Sequence, residues 1–161
     1  AELAGRLQRM LPPGDLQFAS LALERSLLAA AKGDLPTALA EVDRAVTMSE
    51  ASRTQPQYLR RMLRARSEVK LMAQRPDQAV NDAERAVRLE LEAAEPATVS
   101  SNLGLAYLAL GRALQAQGRR EEALGALLTA ARHLRPTLGE QHPATRAAAG
   151  LVASLTPRPR G

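Results

Sequence analysis

Two histidines, five aspartates and a run of arginines are the side chains in this 161-residue chain with the most chemistry to offer. With no cysteine there is no thiol nucleophile, no disulfide framework and no thiolate metal site. His133 and His142 lie nine positions apart across an expected turn, which is not a metal-ligand spacing. His133 falls in the last turn of an expected helix, where an imidazole interacts with the C-terminal carbonyls. Glu121 and Glu122 open another helix, where acids complement the dipole, and need no paired-carboxylate role. No phosphate loop, hydrolase elbow or kinase motif is present. The expectation is a chain that is not an enzyme and uses neither cofactor nor metal.

The arginines are more suggestive. In Arg60-Arg61-Met62-Leu63-Arg64-Ala65-Arg66, continuing to Lys70, Arg60 and Arg64 stand one helical turn apart. Two planar guanidinium forks so placed suit carboxylates or phosphates. The alternative is a solvated face. Twenty of the 22 basic residues are Arg, and an Ala-rich, Arg-rich chain is what a GC-rich genome writes by default. The net charge of +5 is compatible with nucleic acid, anionic lipid or acidic protein partners.

The elements that must position these residues are helices. Ala (32) and Leu (27) dominate, while Phe18, Tyr58 and Tyr107 are the only aromatics, so the residues that build β-sheets are scarce. The longest nonpolar run, Leu103 to Leu110, falls far short of the roughly 20 residues that span a bilayer. Pro and Gly breakers leave helical patterns over 16–32, 35–52, 57–74, 77–94, 97–117, 119–135 and 143–155, with a weaker one over 2–11. Pro36, Pro76, Pro96 and Pro143 suit helix starts, and Gly33, Gly118 and Gly139 suit helix ends.

The segments repeat. Ala38, Ala79 and Ala123 open the second helix of three pairs, and Ala45, Ala86 and Ala130 follow seven residues later. The unit is a helical hairpin of 41 and then 44 residues. Alanines seven apart share a face and let a partner helix approach to about 8–10 Å.

The third copy runs Tyr107, Leu110, Gly111, Leu114, Gly118, Ala123, Leu127, Ala130 and resembles the tetratricopeptide repeat (TPR). After it, Leu138-Gly139-Glu140-Gln141-His142-Pro143 resembles the Gly-x-x-His-Pro connector of the longer variant typified by kinesin light chain. The first two copies lack His-Pro and carry Ser26 and Ser67 in place of the first-helix glycine, and Lys70 disturbs the hydrophobic stripe of the second.

The resemblance implies an all-α, right-handed superhelical array of antiparallel hairpins over 16–52, 57–94 and 97–135. The helix at 143–155 and the weaker one at 2–11 are expected to cap the array's ends, and the Pro- and Arg-rich 156–161 reads like a linker. The resemblance further implies a non-catalytic scaffold whose first helices line a concave groove for a peptide or helical segment of a protein partner. There Arg60, Arg61 and Arg64 would form a binding strip extended by Arg112, suited to acidic segments. Ala109 stands where chaperone-tail clamps use Asn, so that specificity is not expected. The same resemblance implies a module of a larger protein, as in the bacterial signalling proteins where such arrays are fused to other domains. Nucleic-acid binding ranks lower, because only Tyr58 accompanies the arginines as a stacking group. Self-association through the array ends is a third class.

Overall fold

In the computed structural model, residues 16–52, 55–95 and 98–156 are described; the expected helix at 2–11 and the tail from 157 lie outside them. Among the described residues seven helices follow one another: α1 (Leu16–Ala31), α2 (Leu35–Ala51), α3 (Pro56–Met72), α4 (Pro76–Ala93), α5 (Ser101–Ala116), α6 (Arg120–Leu138) and α7 (Pro143–Leu155). Each packs on the next, and the first helices α1, α3, α5 and α7 also touch along one side. The array is therefore all-α, three antiparallel hairpins and a terminal helix.

One turn geometry recurs in all three hairpins. The amides of Gly33, Gln74 and Gly118 donate three residues back, and those of Asp34, Arg75 and Arg119 five residues back, closing the first helix. All three central residues have positive φ, at 78°, 57° and 77°. Glycine takes this conformation without penalty, whereas Gln74 takes it with a Cβ.

The alanines form the seam. Ala38, Ala45, Ala79, Ala86, Ala123 and Ala130 are all fully buried. At Gly111 an added Cβ would lie 2.5 Å from Leu127 Cγ, and at Gly104 one would lie 2.8 Å from Leu134, so hairpin three closes by direct backbone approach. In the other hairpins the serines preserve the same register. Ser26 Oγ donates to the Ala38 carbonyl at 2.7 Å and Ser67 Oγ to that of Ala79 at 2.9 Å, each pair twelve residues apart as Gly111 and Ala123 are.

Two boundaries differ from expectation. Pro96, expected near a helix start, lies outside the described residues; α5 begins at Ser101 behind Ser100, an N-cap whose hydroxyl accepts from Leu103 N. Pro136 does not end α6, which continues to Leu138. So near the end of a helix a proline forgoes a single backbone bond, and the neighbouring Thr137 hydroxyl donates to the His133 carbonyl at 2.7 Å. Gly139 (φ 85°) then ends α6, and His142 caps α7 by accepting from Ala144 N through Nδ1. Pro143 occupies the first turn of α7, where a missing amide hydrogen costs nothing.

Candidate functional site

The first helices and the cap enclose a groove of about 440 Å³. Arg64, Ala65 and Glu68 of α3 line one wall, Leu105, Leu108, Ala109 and Arg112 of α5 the floor, and His142-Pro143-Ala144 the far end. It combines apolar side chains with the Arg64 and Arg112 cations and the Glu68 carboxylate.

The four arginines of the expected strip fall into different environments. Arg64 is half-buried, and its Nη1 donates to the Asn102 backbone carbonyl at 3.1 Å. Burial lowers its pKa, Glu90 opposes that shift, and Arg61 and Arg60 add to it by repulsion. It has no carboxylate hydrogen-bonded to it among the described residues. Arg112 Nη1 pairs with Glu68 Oε1 at 2.7 Å, bridging α5 to α3 along the groove. Arg61 is exposed and does not line the groove.

Arg60 turns inward. Its Nε lies 3.2 Å from Glu90 Oε2 on α4, both side chains being almost covered, although Nε has no aligned hydrogen bond. Arg60 and Arg64 therefore do not present two free forks side by side: one closes the hairpin and the other faces the groove. Arg66 and Lys70 also belong to the hairpin. Arg66 grips Asp82 through Nε (2.9 Å) and Nη2 (2.6 Å) and reaches Asp43 of the preceding hairpin at 3.1 Å, while Lys70 Nζ meets Asp82 at 2.6 Å. Attraction to Asp82 and Asp43 raises the Arg66 pKa despite its burial.

Several contributors went unseen in the sequence. Glu68 was not singled out, and His142 had been read only as a connector residue although it also lines the groove. Asp82 and Glu90 could have been found by carrying the 41- and 44-residue offsets beyond the alanines. Glu90 then falls at the place of Ser49 and Leu134, an inward position in all three hairpins.

Among the described residues no cluster of three or more His, Asp or Glu side chains could hold a metal ion, and no helix is long and apolar enough to cross a membrane.

No protein-family model matches the sequence, and no curated protein matches it. Solved structures do. A Podosopora anserina protein named for kinesin light chain, with nearly identical TPR-like repeats, aligns at 19% identity and TM-score 0.74 over 91% of this chain and 67% of its own. Its Q17M form aligns at 16% and 0.73, over 96% and 72%. BtubC (BKLC) from P. vanneervenii aligns at 19% and 0.68 over 81% of this chain, which spans about half of that structure's length (51%). The turn geometry, the alanine seam and these alignments agree that the chain has a TPR-like helical-repeat fold.

Proposed function

We propose that this chain is a non-catalytic scaffold, a module of a larger protein, that holds an acidic peptide or helical segment of a partner protein in the groove between α3, α5 and α7. Arg64 carries the reading. A guanidinium that is desolvated at a groove wall, yet hydrogen-bonded only to a backbone carbonyl, gains more from an incoming carboxylate than a fully hydrated surface arginine does. Arg112, already held in place by Glu68, supplies a second cation, and Leu105 and Leu108 supply apolar contact. Arg60 acts indirectly, by holding α3 against α4.

Capture of partners on the immobilised chain, with and without nuclease and alongside Arg64→Gln/Arg112→Gln, tests this. Proteins retained after nuclease and lost from the variant support the groove. Loss of all bound material with nuclease replaces the reading with nucleic-acid binding, and unchanged capture by the variant moves the site elsewhere.

A further inference from the structure

The start of α5 is tied to α6 by an unusual bond: the Ser100 backbone N–H donates to His133 Nδ1 at 3.2 Å. Because a backbone amide can only donate, Nδ1 must be the bare nitrogen and His133 must be neutral, with its proton on Nε2. The ring is held flat against Tyr107 of the same α5, with centroids 6.5 Å apart and planes within 8°. It also lines a cavity of about 510 Å³ with Leu91, Val99 and Leu103, so protons from solvent reach it.

We infer that His133 is an acid-released latch: protonation at Nδ1 sets two donors against each other and frees the N-cap of α5 from α6. Its surroundings favour the neutral, latched state at neutral pH, burial first and one neighbouring cation second. Burial and the adjacent Arg132 of α6 hold its pKa below the ordinary 6.5. Glu95, before α5, shares the cavity as the one carboxylate lining it and acts against Arg132, Tyr107 faces the ring, and α4 and its C-cap contribute the apolar Leu91 and Ala94. The sign follows from that depression. A group whose folded pKa lies below its unfolded value contributes stability that is complete above about 6.5 and is lost as pH falls through the folded pKa.

Release would act on the helix that carries the groove floor, but the latch is read at Ser100 and stands whether or not the groove binds a partner. The test is an NMR titration of the intact chain from pH 8 to 5, following both histidine rings and the Ser100 amide, with hydrogen exchange corrected for intrinsic rates. The Ser100 amide is expected to shift with the midpoint of His133, not of His142, and to lose protection several-fold below it. His133→Phe keeps an aromatic ring against Tyr107 but offers no acceptor, so Ser100 should be unprotected at every pH. Ser100 protection that stays constant through the His133 titration overturns the latch, as does an unchanged pH dependence in His133→Phe.

Discussion

The second and third hairpins share one backbone register and an apolar core but differ in chemistry at several matched interior positions. Where hairpin three places Gly104 against Leu134, hairpin two places Arg60 against Glu90. Leu110 and Leu114, with Ala126 three positions after the Ala123 seam residue, are matched in hairpin two by Arg66, Lys70 and Asp82. A helical hairpin can thus be closed by apolar burial or by ion pairs at the same positions. The physical difference is in what failure costs. Apolar contacts are lost atom by atom, whereas removing one member of a covered ion pair strands the others without compensation.

Asp82→Ala is therefore expected to be the most damaging single change, at about 3–5 kcal/mol, because it strips Lys70 of its carboxylate and leaves Arg66 only the more exposed Asp43. Urea unfolding reads it, and a loss below about 1 kcal/mol would mean that the network is already water-screened. Gly111→Ala probes hairpin three. Its new methyl group would sit 2.5 Å from Leu127 Cγ, so the helices must part, at about 1–3 kcal/mol. The matching Ser67→Ala in hairpin two should cost only its hydroxyl bond to Ala79, about 1 kcal/mol. Equal losses at the two sites would show that the hairpins are not closed at different distances.

Exchanging the interiors sharpens the contrast. Arg60→Ala with Glu90→Leu imitates hairpin three and should leave the chain as stable as before or up to about 1 kcal/mol more so, although Arg60→Ala alone strands a buried carboxylate and destabilises. A double variant no better than the worse single one would assign the pair a specific role. Gln74→Gly tests the turn. Relieving a Cβ at φ 57° should raise stability by about 0.5–1 kcal/mol, visible as a higher Tm, since hairpins one and three already have glycine there.

The seam and the turns were legible in the sequence because small size and positive φ admit few residue types. The six alanines of the repeat are fully buried, and Gly33, Gly118 and Gly139 have positive φ. Hairpin two was harder to read for the same reason that it is interesting. Lys70 looked like a break in a hydrophobic stripe because its carboxylate partner lies twelve residues away on another helix, and Arg60 looked like surface because an inward arginine requires a buried acid opposite. Gln74 hid a left-handed turn behind an ordinary residue. Pro136 misled at the end of α6, where a last-turn position outweighed proline's usual meaning. Of the groove, the arginine cluster was visible, but only the fold separates Arg64, which faces it, from Arg60, which does not.

Hairpin one tests whether register alone makes such a pair matter. Arg25 and Glu41 occupy the places of Arg66 and Asp82, yet their nearest atoms are 3.9 Å apart and the Arg25 side chain is 42% exposed. Glu41 Oε2 is buried without a hydrogen bond, so the carboxylate is partly desolvated and poorly repaid. Glu41→Ala is expected to change the unfolding free energy by no more than about 0.5 kcal/mol, with little dependence on salt. A loss above about 1 kcal/mol would show that the pair acts in solution as its counterpart does in hairpin two. Solvent coverage would then not be what separates the two hairpins, and the cost assigned to Asp82 would have to come from its two cations rather than from their burial.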